Sequence, residues 1–406
     1  MKNSKIRPFI AALLALVMVL STFLVTGCSE EEPDDAEPAP VEEVASNPLT
    51  GQTEDEGFDA NALNQRIVAF VVENAPDARP QWGLDDPEFS PDIVLQGEVE
   101  AGITRTLWLY ADYNKLPEII GPMRSARPPY IKFSELFDSI FIHWGQSASK
   151  GEYIGAKTVF RRDKVDHINE MTFNDTMGLY DRDHTRSVSM EHRGILYGAK
   201  VPEALKQEGF RAEPKDYTKL NFNKLPWLTS FTPADTVKVK YSDKASWDST
   251  FWTYNNEDKK YHTSNFDNDF ARDNLLILYD DTEYISKDNY QGQAGHTVTY
   301  CNYDLAGGKG YLCSQGTVKN IEWKVEDGKL VMTDLDATQA AIERAEEKAA
   351  EAAEAGEEAK DDENAEADEE AEPIVIDANL YPGKTWIGWI SANNGGDVTI
   401  EGSFDK

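Results

Sequence analysis

The chain has 406 residues, 40 of them Lys or Arg and 73 Asp or Glu, for a formal net charge of −33, and it has three cysteines. So acidic a chain argues against broad contact with nucleic acid, where binding depends on neutralising phosphates, and it repels anionic headgroups and wall polymers except where a local basic site receives them. The length suffices for two domains with substantial cores.

The N-terminus carries Lys2, Lys5 and Arg7 ahead of a charge-free run, residues 9–25, which is the layout of an export signal. Val25-Thr26-Gly27-Cys28 then sets small residues before a cysteine. This is the box after which a lipoprotein signal peptidase cuts once the thiol carries diacylglycerol. Residues 1–27 are read as the signal peptide and Cys28 as the lipidation site. The apolar run is marginal for spanning a bilayer, whereas the two or three acyl chains of a lipoprotein, palmitate among them, anchor stably. The expected location is the cell membrane, on its extracytoplasmic face. Losing three bases with the signal takes the charge from −33 to −36.

Residues 28–57 read as a flexible acidic tether: positions 29–46 hold eight acids, no base, and Pro33, Pro38 and Pro40, a composition that stays extended by self-repulsion. Residues 58–215 mix β-rich runs such as Ile67-Val68-Ala69-Phe70-Val71-Val72 with helix-like stretches, including 202–208, which opens on Pro202 and stops at Gly209. From 216 to 406 the chain reads as strands and turns, with β-branched and aromatic runs at 237–241, 251–254, 275–279, 297–301, 321–325, 330–333, 374–376 and 386–390. An Ala/Glu-rich insertion, residues 337–373, carries 15 acids and three bases without an apolar stripe. It reads as a solvated helix or disorder, and as a hairpin excursion between two strands. Tether and insertion account for 8 and 12 net negative charges, leaving −16 for the folded remainder.

Cys301 and Cys313 flank a Gly-rich segment centred on Gly307. A symmetric hairpin turning there would oppose the two sulfurs, so a structural disulfide is expected, with two free thiols as the alternative.

Arginine is concentrated where chemistry is expected. Between residues 79 and 193 there are nine Arg and five Lys, against five Arg and 21 Lys elsewhere, and arginine is the better fork for carboxylate or phosphate. Three stretches place Arg beside Gly, Pro or small residues: Asn74-Ala75-Pro76-Asp77-Ala78-Arg79-Pro80-Gln81, Glu100-Ala101-Gly102-Ile103-Thr104-Arg105, and Ile120-Gly121-Pro122-Met123-Arg124-Ser125-Ala126-Arg127. The alternative reading is that these arginines brace loops against Glu98, Glu100, Asp92 or Asp112. Pro122 suits a helix start that would aim Arg124 and Arg127 the same way.

These stretches, above all Gly121-Pro122-Met123-Arg124-Ser125-Ala126-Arg127, resemble the YerB-like lipoproteins, two-domain extracytoplasmic proteins without a defined biochemical role. The likeness continues through His143-Trp144-Gly145, Arg182-Asp183, His192 and Tyr381-Pro382-Gly383-Lys384-Thr385-Trp386, so it covers nearly the whole mature body. Glu73 stands where the family pattern has Asp, and Glu191-His192-Arg193 where Pro-His-Asn is expected. The resemblance implies an α+β protein: a layered α/β N-terminal domain with a mixed sheet, then a smaller β-rich C-terminal domain.

Other chemistry finds little support. His184 with Asp181 and Asp183 matches no metal-ligand spacing, Ser147 near His143 lacks a Gly-x-Ser-x-Gly elbow, and no phosphate loop or dinucleotide fingerprint occurs. No metal or cofactor is expected. Trp82, Trp108 and Trp144 read as sugar-stacking platforms or as core. Two functional readings follow. One is an envelope binding module whose Asn74, Arg79, Gln81, Arg105, Arg124, Arg127 and His143 hold an anionic ligand, a phosphorylated glycan or a carboxylate. The other is an enzyme on such a ligand, with Glu100, Asp183 or His192 as acid or base, like the wall-polymer transferases of the LytR-CpsA-Psr type by analogy only.

Overall fold

A computed structural model of the chain describes residues 44–224, 232–245, 248–289, 293–355 and 373–403. The signal peptide, Cys28, the tether up to residue 43 and residues 356–372 of the insertion lie outside them.

Val68–Glu73 forms a strand with every residue buried, as a strand covered on both faces must be. Ile67, Ala69 and Val71 enter one core while Val68, Phe70 and Val72 enter the other. The strand pairs antiparallel with Ile103–Tyr110 and parallel with Ile140–His143. The sheet runs on through Ile93–Glu100, Thr385–Ser391, Asn274–Asp280, Gly307–Ser314 and Thr317–Glu326, and thirteen strands among the described residues share it. Parallel and antiparallel pairs both occur along it, so the α+β architecture with a mixed sheet holds. The division near residue 215 is one of chain order: Val94 lies opposite Trp386, and the sheet is continuous across both halves.

On one face the helices Pro128–Glu135 and Ala156–Asp163 bring Tyr130, Phe133 and Phe160 into the core that holds Trp389. On the other face lies a five-stranded antiparallel sheet built from Thr236–Lys240, Thr250–Asn255, Lys260–Thr263, Phe270–Arg272 and Asp397–Glu401. Its Val237, Val239 and Trp252 share a core with Trp386 and Ile277. The same face carries the small sheet of Ile119–Ile120, Gly194–Tyr197 and Tyr180–Arg182. Beside it is the helix Val201–Glu208, which ends at Gly209 with φ 67°, as its sequence announces.

Four expectations change. Residues 46–57 pack on the body instead of extending the tether: Leu49 and Thr50 are fully buried, and the Gly383 amide donates to Thr50 O at 2.7 Å. Residues 374–376 form no strand, and Ile374 and Val375 stay exposed. The helix after Pro122 starts only at Pro128, with Arg127 in extended geometry at its N-cap.

The fourth change concerns the cysteines, which are free and buried. Cys301 sits opposite Tyr284 in a hairpin with the preceding strand, and Cys313 opposite Leu275 and Val318. The two sulfurs therefore enter different cores on opposite faces of the large sheet, outside disulfide geometry.

The insertion opens as the helix Leu335–Ala355, exposed beyond its first turns. The chain returns beside the strand it left: the Asp334 amide donates to Ile376 O at 2.8 Å and the Ala378 amide to Met332 O at 2.9 Å. Ala337 is buried and Thr338 Oγ1 accepts from the Ile376 amide, so the body uses only the first helical turn. Replacing residues 340–372 by a short Gly-Ser turn should change stability by less than about 1 kcal/mol. Urea unfolding checks this, and a lost or broadened transition would show that the distal helix packs on the body.

Candidate functional site

A register shift between Glu98 and Glu100 re-aims the end of the Ile93–Glu100 strand. The Glu100 carboxylate there meets Arg127 Nε at 2.8 Å and Arg105 Nη2 at 3.2 Å. Burial pushes its pKa up, but the Arg105 and Arg127 guanidiniums prevail and hold it at about 2. Glu100 is thus a fixed anion, unsuited to proton transfer. Arg105 also donates to Ser125 O at 2.6 Å, and Arg127 donates to Ala126 O at 3.0 Å with its guanidinium 5.3 Å from the Tyr300 ring centre.

Glu73, buried at the end of its strand, pairs with Arg124 and faces His192 Nδ1 at 3.5 Å. Burial opposes its ionisation, yet His192 and Arg124 bring its pKa below the ordinary carboxylate range, and the same contact raises that of His192. Arg124 also donates to Glu191 O at 3.4 Å, and its side chain keeps 24% of its surface exposed.

The other expected site residues lie elsewhere. Arg79 turns to Asp248 at 3.4 Å and donates to Asn74 O, Asn74 Nδ2 donates to Thr104 Oγ1, and Gln81 Nε2 donates to Asn74 Oδ1. These three knit loops together. His143 is buried, with Nδ1 at 2.6 Å from Gly145 O and Nε2 at 3.0 Å from His167 Nδ1, and its ring stacks on Phe160. Burial pushes its pKa down to about 3, so it is a neutral core residue. Asp183 accepts from the Thr185 amide and hydroxyl, which hold it ionised against the pull of burial. Trp108 is core, and Trp82 is covered by the Arg186 guanidinium at 3.5 Å from its ring centre.

Arg124 opens onto a cleft of about 620 Å³ whose lining includes Trp144, Gln146, Lys157, Met171 and Arg182. Arg182 reaches it from the small sheet, its guanidinium 4.5 Å from the Trp144 ring centre and donating to Met190 O at 2.5 Å. Lys157 comes from the first turn of Ala156–Asp163. Neither cation has a carboxylate at ion-pair distance among the described residues, while the lining carboxylate Glu191 is exposed. The cleft therefore offers surplus positive charge beside an aromatic ring and an exposed thioether, Met171. Nothing in the sequence singles out Lys157 or Met171, since residues 124, 144, 157, 171 and 182 meet only through tertiary structure.

Comparison with known proteins agrees with this organisation. The models named "Protein of unknown function (DUF3048)" match at residues 49–211 for the N-terminal domain and 236–344 for the C-terminal domain. The chain belongs to the DUF3048 family. The first match begins at Leu49, inside the 46–57 segment that packs on the DUF3048 body. The chain is 28% identical over 326 residues to "Putative lipoprotein YerB" of Bacillus subtilis (strain 168), covering 76% of this chain and 86% of that protein. The crystal structure of YerB from that species shares the fold, with a TM-score of 0.61 at 24% identity over 87% of this chain and 99% of that one. The resemblance carried by the Gly-Pro-Met-Arg-Ser-Ala-Arg run is thereby established.

Proposed function

We propose that this DUF3048 protein is a lipoprotein held through Cys28 on the extracytoplasmic face of the cell membrane, and that it binds an anionic envelope ligand in the Arg124–Lys157–Arg182 cleft. The lipoprotein name of its relative and the signal layout around Cys28 support the anchor. The observation that carries the ligand reading is the pair of cations with no carboxylate at ion-pair distance among the described residues, Lys157 and Arg182, lining one cleft with Trp144 and the part-exposed Arg124. On a body whose composition leaves it at −16, such a site is where an anion can overcome the long-range field. Phosphorylated glycans fit best, since a sugar ring can lie on Trp144 while its phosphate meets the cations. In this reading Arg79, Arg105, Arg127 and His143 have structural roles and do not touch ligand. Glu100 and Asp183, held ionised by their partners, suit positioning rather than proton transfer, which favours binding over reaction here.

Titration calorimetry with N-acetylglucosamine 1-phosphate, oligomeric glycerol phosphate and unphosphorylated sugar tests the proposal. Phosphorylated probes should bind, and Arg182→Gln or Lys157→Gln should each weaken binding by about 1.5 to 3 kcal/mol with unchanged melting temperature. Arg127→Lys should do the reverse, lowering the melting temperature while binding survives. Absence of binding by wild type, or unchanged affinity in the Arg182→Gln, Lys157→Gln double variant, would sink the reading.

A further inference from the structure

A second cleft, of about 460 Å³, lies where the residue 46–59 segment meets the body, and Ser90, Asp92, Tyr110 and Lys384 help line it. Lys384 belongs to the Tyr381-Pro382-Gly383-Lys384 run that leads into the central strand Thr385–Ser391. Its backbone is fixed there, because the Lys384 amide donates to Asp273 Oδ2 at 2.8 Å. Its Nζ lies 2.7 Å from Ser90 Oγ and 2.6 Å from Ser90 O. A serine hydroxyl against a buried amine at the wall of a cavity is a pairing used for acyl transfer.

We infer that Ser90 and Lys384 form a nucleophile–base pair, and that this cleft hydrolyses an ester or amide whose acyl part carries a positive charge. The amine of neutral Lys384 takes the Ser90 Oγ proton as Oγ bonds to the carbonyl carbon, whose oxygen becomes an oxyanion. The bond to the leaving alcohol or amine then breaks, and that group departs with the proton from the Lys384 ammonium. Water attacks the acyl-Ser90 ester, giving one proton to Lys384. The intermediate collapses to release the carboxylic acid, and the proton returns to Ser90 Oγ. No redox partner is needed.

The protonation state suits this role. Burial pushes the Lys384 ammonium down to about 8, Asp92 and Asp273 oppose that shift, and Arg272 and Lys260 reinforce it. The charge preference follows from the lining, where Glu56, Asp59, Glu88 and Asp112 outnumber Lys115 and Lys384.

The test uses the full-length protein and a fluorophosphonate, which phosphonylates activated serines. Mass spectrometry should place the adduct on Ser90, at a rate that rises with pH through about 8. Ser90→Ala should abolish it and Lys384→Met slow it about 100-fold. An alanyl 4-nitrophenyl ester, bearing a free ammonium, should be cleaved faster than the acetyl ester. No Ser90 adduct on wild type at about pH 9, where a lysine of this pKa is largely neutral, overturns the inference, and so does a flat pH profile; both are read on wild type, so misfolding of a variant cannot mask the answer. Adduct formation without preference for the alanyl ester overturns the cationic-substrate part.

Discussion

Glu100→Gln is expected to destabilise the fold by about 3 to 5 kcal/mol, the range for removing one partner from a buried ion pair. The carboxylate lies between Arg105 and Arg127, whose side chains are 4% and 6% exposed. Once it is neutral, two desolvated guanidiniums face each other with only the Glu73 carboxylate, already paired with Arg124, to offset their repulsion. A pH dependence follows. The folded pKa, about 2, is depressed from an ordinary value of 4.5. Its contribution is therefore fully present above the unfolded pKa near 4.5 and is lost as pH falls towards 2. The shift corresponds to about 3 kcal/mol. Urea unfolding from neutral pH down to about pH 3 should show wild type losing stability more steeply than Glu100→Gln over that window. Parallel curves, or a variant within about 1 kcal/mol of wild type at neutral pH, would mean that the arginines find other partners.

Cys28→Ser is expected to move the protein wholly out of the mature membrane-bound form, as a soluble species or an uncleaved precursor. Among the described residues no helix is long and apolar enough to cross a membrane. Nor can a chain at −36 after cleavage adhere electrostatically to an anionic leaflet. Under the proposed anchor, retention rests on the acyl chains, at about 0.8 kcal/mol per buried CH₂. Membrane fractionation with intact-mass measurement reads the outcome. A variant that fractionates and migrates like wild type would refute the anchor.

Much of the fold was legible because its causes are local. The runs around 237–241, 251–254, 275–279 and 386–390 became strands since β-branched and aromatic side chains fit a pleated surface. The helix Val201–Glu208 follows from Pro202 at its start and Gly209 at its end. The Gly-Pro-Met-Arg-Ser-Ala-Arg run, which carries the family likeness, is likewise a property of a short stretch.

Local composition misled where a few residues outweighed it. Leu49 and Thr50, at the end of an acidic Pro-rich stretch, found enough packing and hydrogen bonding to join the body. The cysteines were misjudged because a strand run does not name its partner. The 298–303 strand pairs backward with 282–287, and the 307–314 strand pairs with 274–280 and 317–326, so Cys301 and Cys313 face opposite cores.

Which strands are neighbours, and which charges meet, was decided by the tertiary structure. Arginine enrichment between 79 and 193 was visible in the sequence, and so was Glu100 as one of four carboxylates the arginines could brace, but not that Arg105 and Arg127 would be the ones to meet it while Arg182 and Lys157 remain open to a cleft. Nor could spacing bring Lys384 to Ser90 across 294 residues. A side chain's type fixes what it can donate, accept or bury. Its partner is fixed only when sheet register and layer packing bring distant segments within the 3 Å reach of a hydrogen bond.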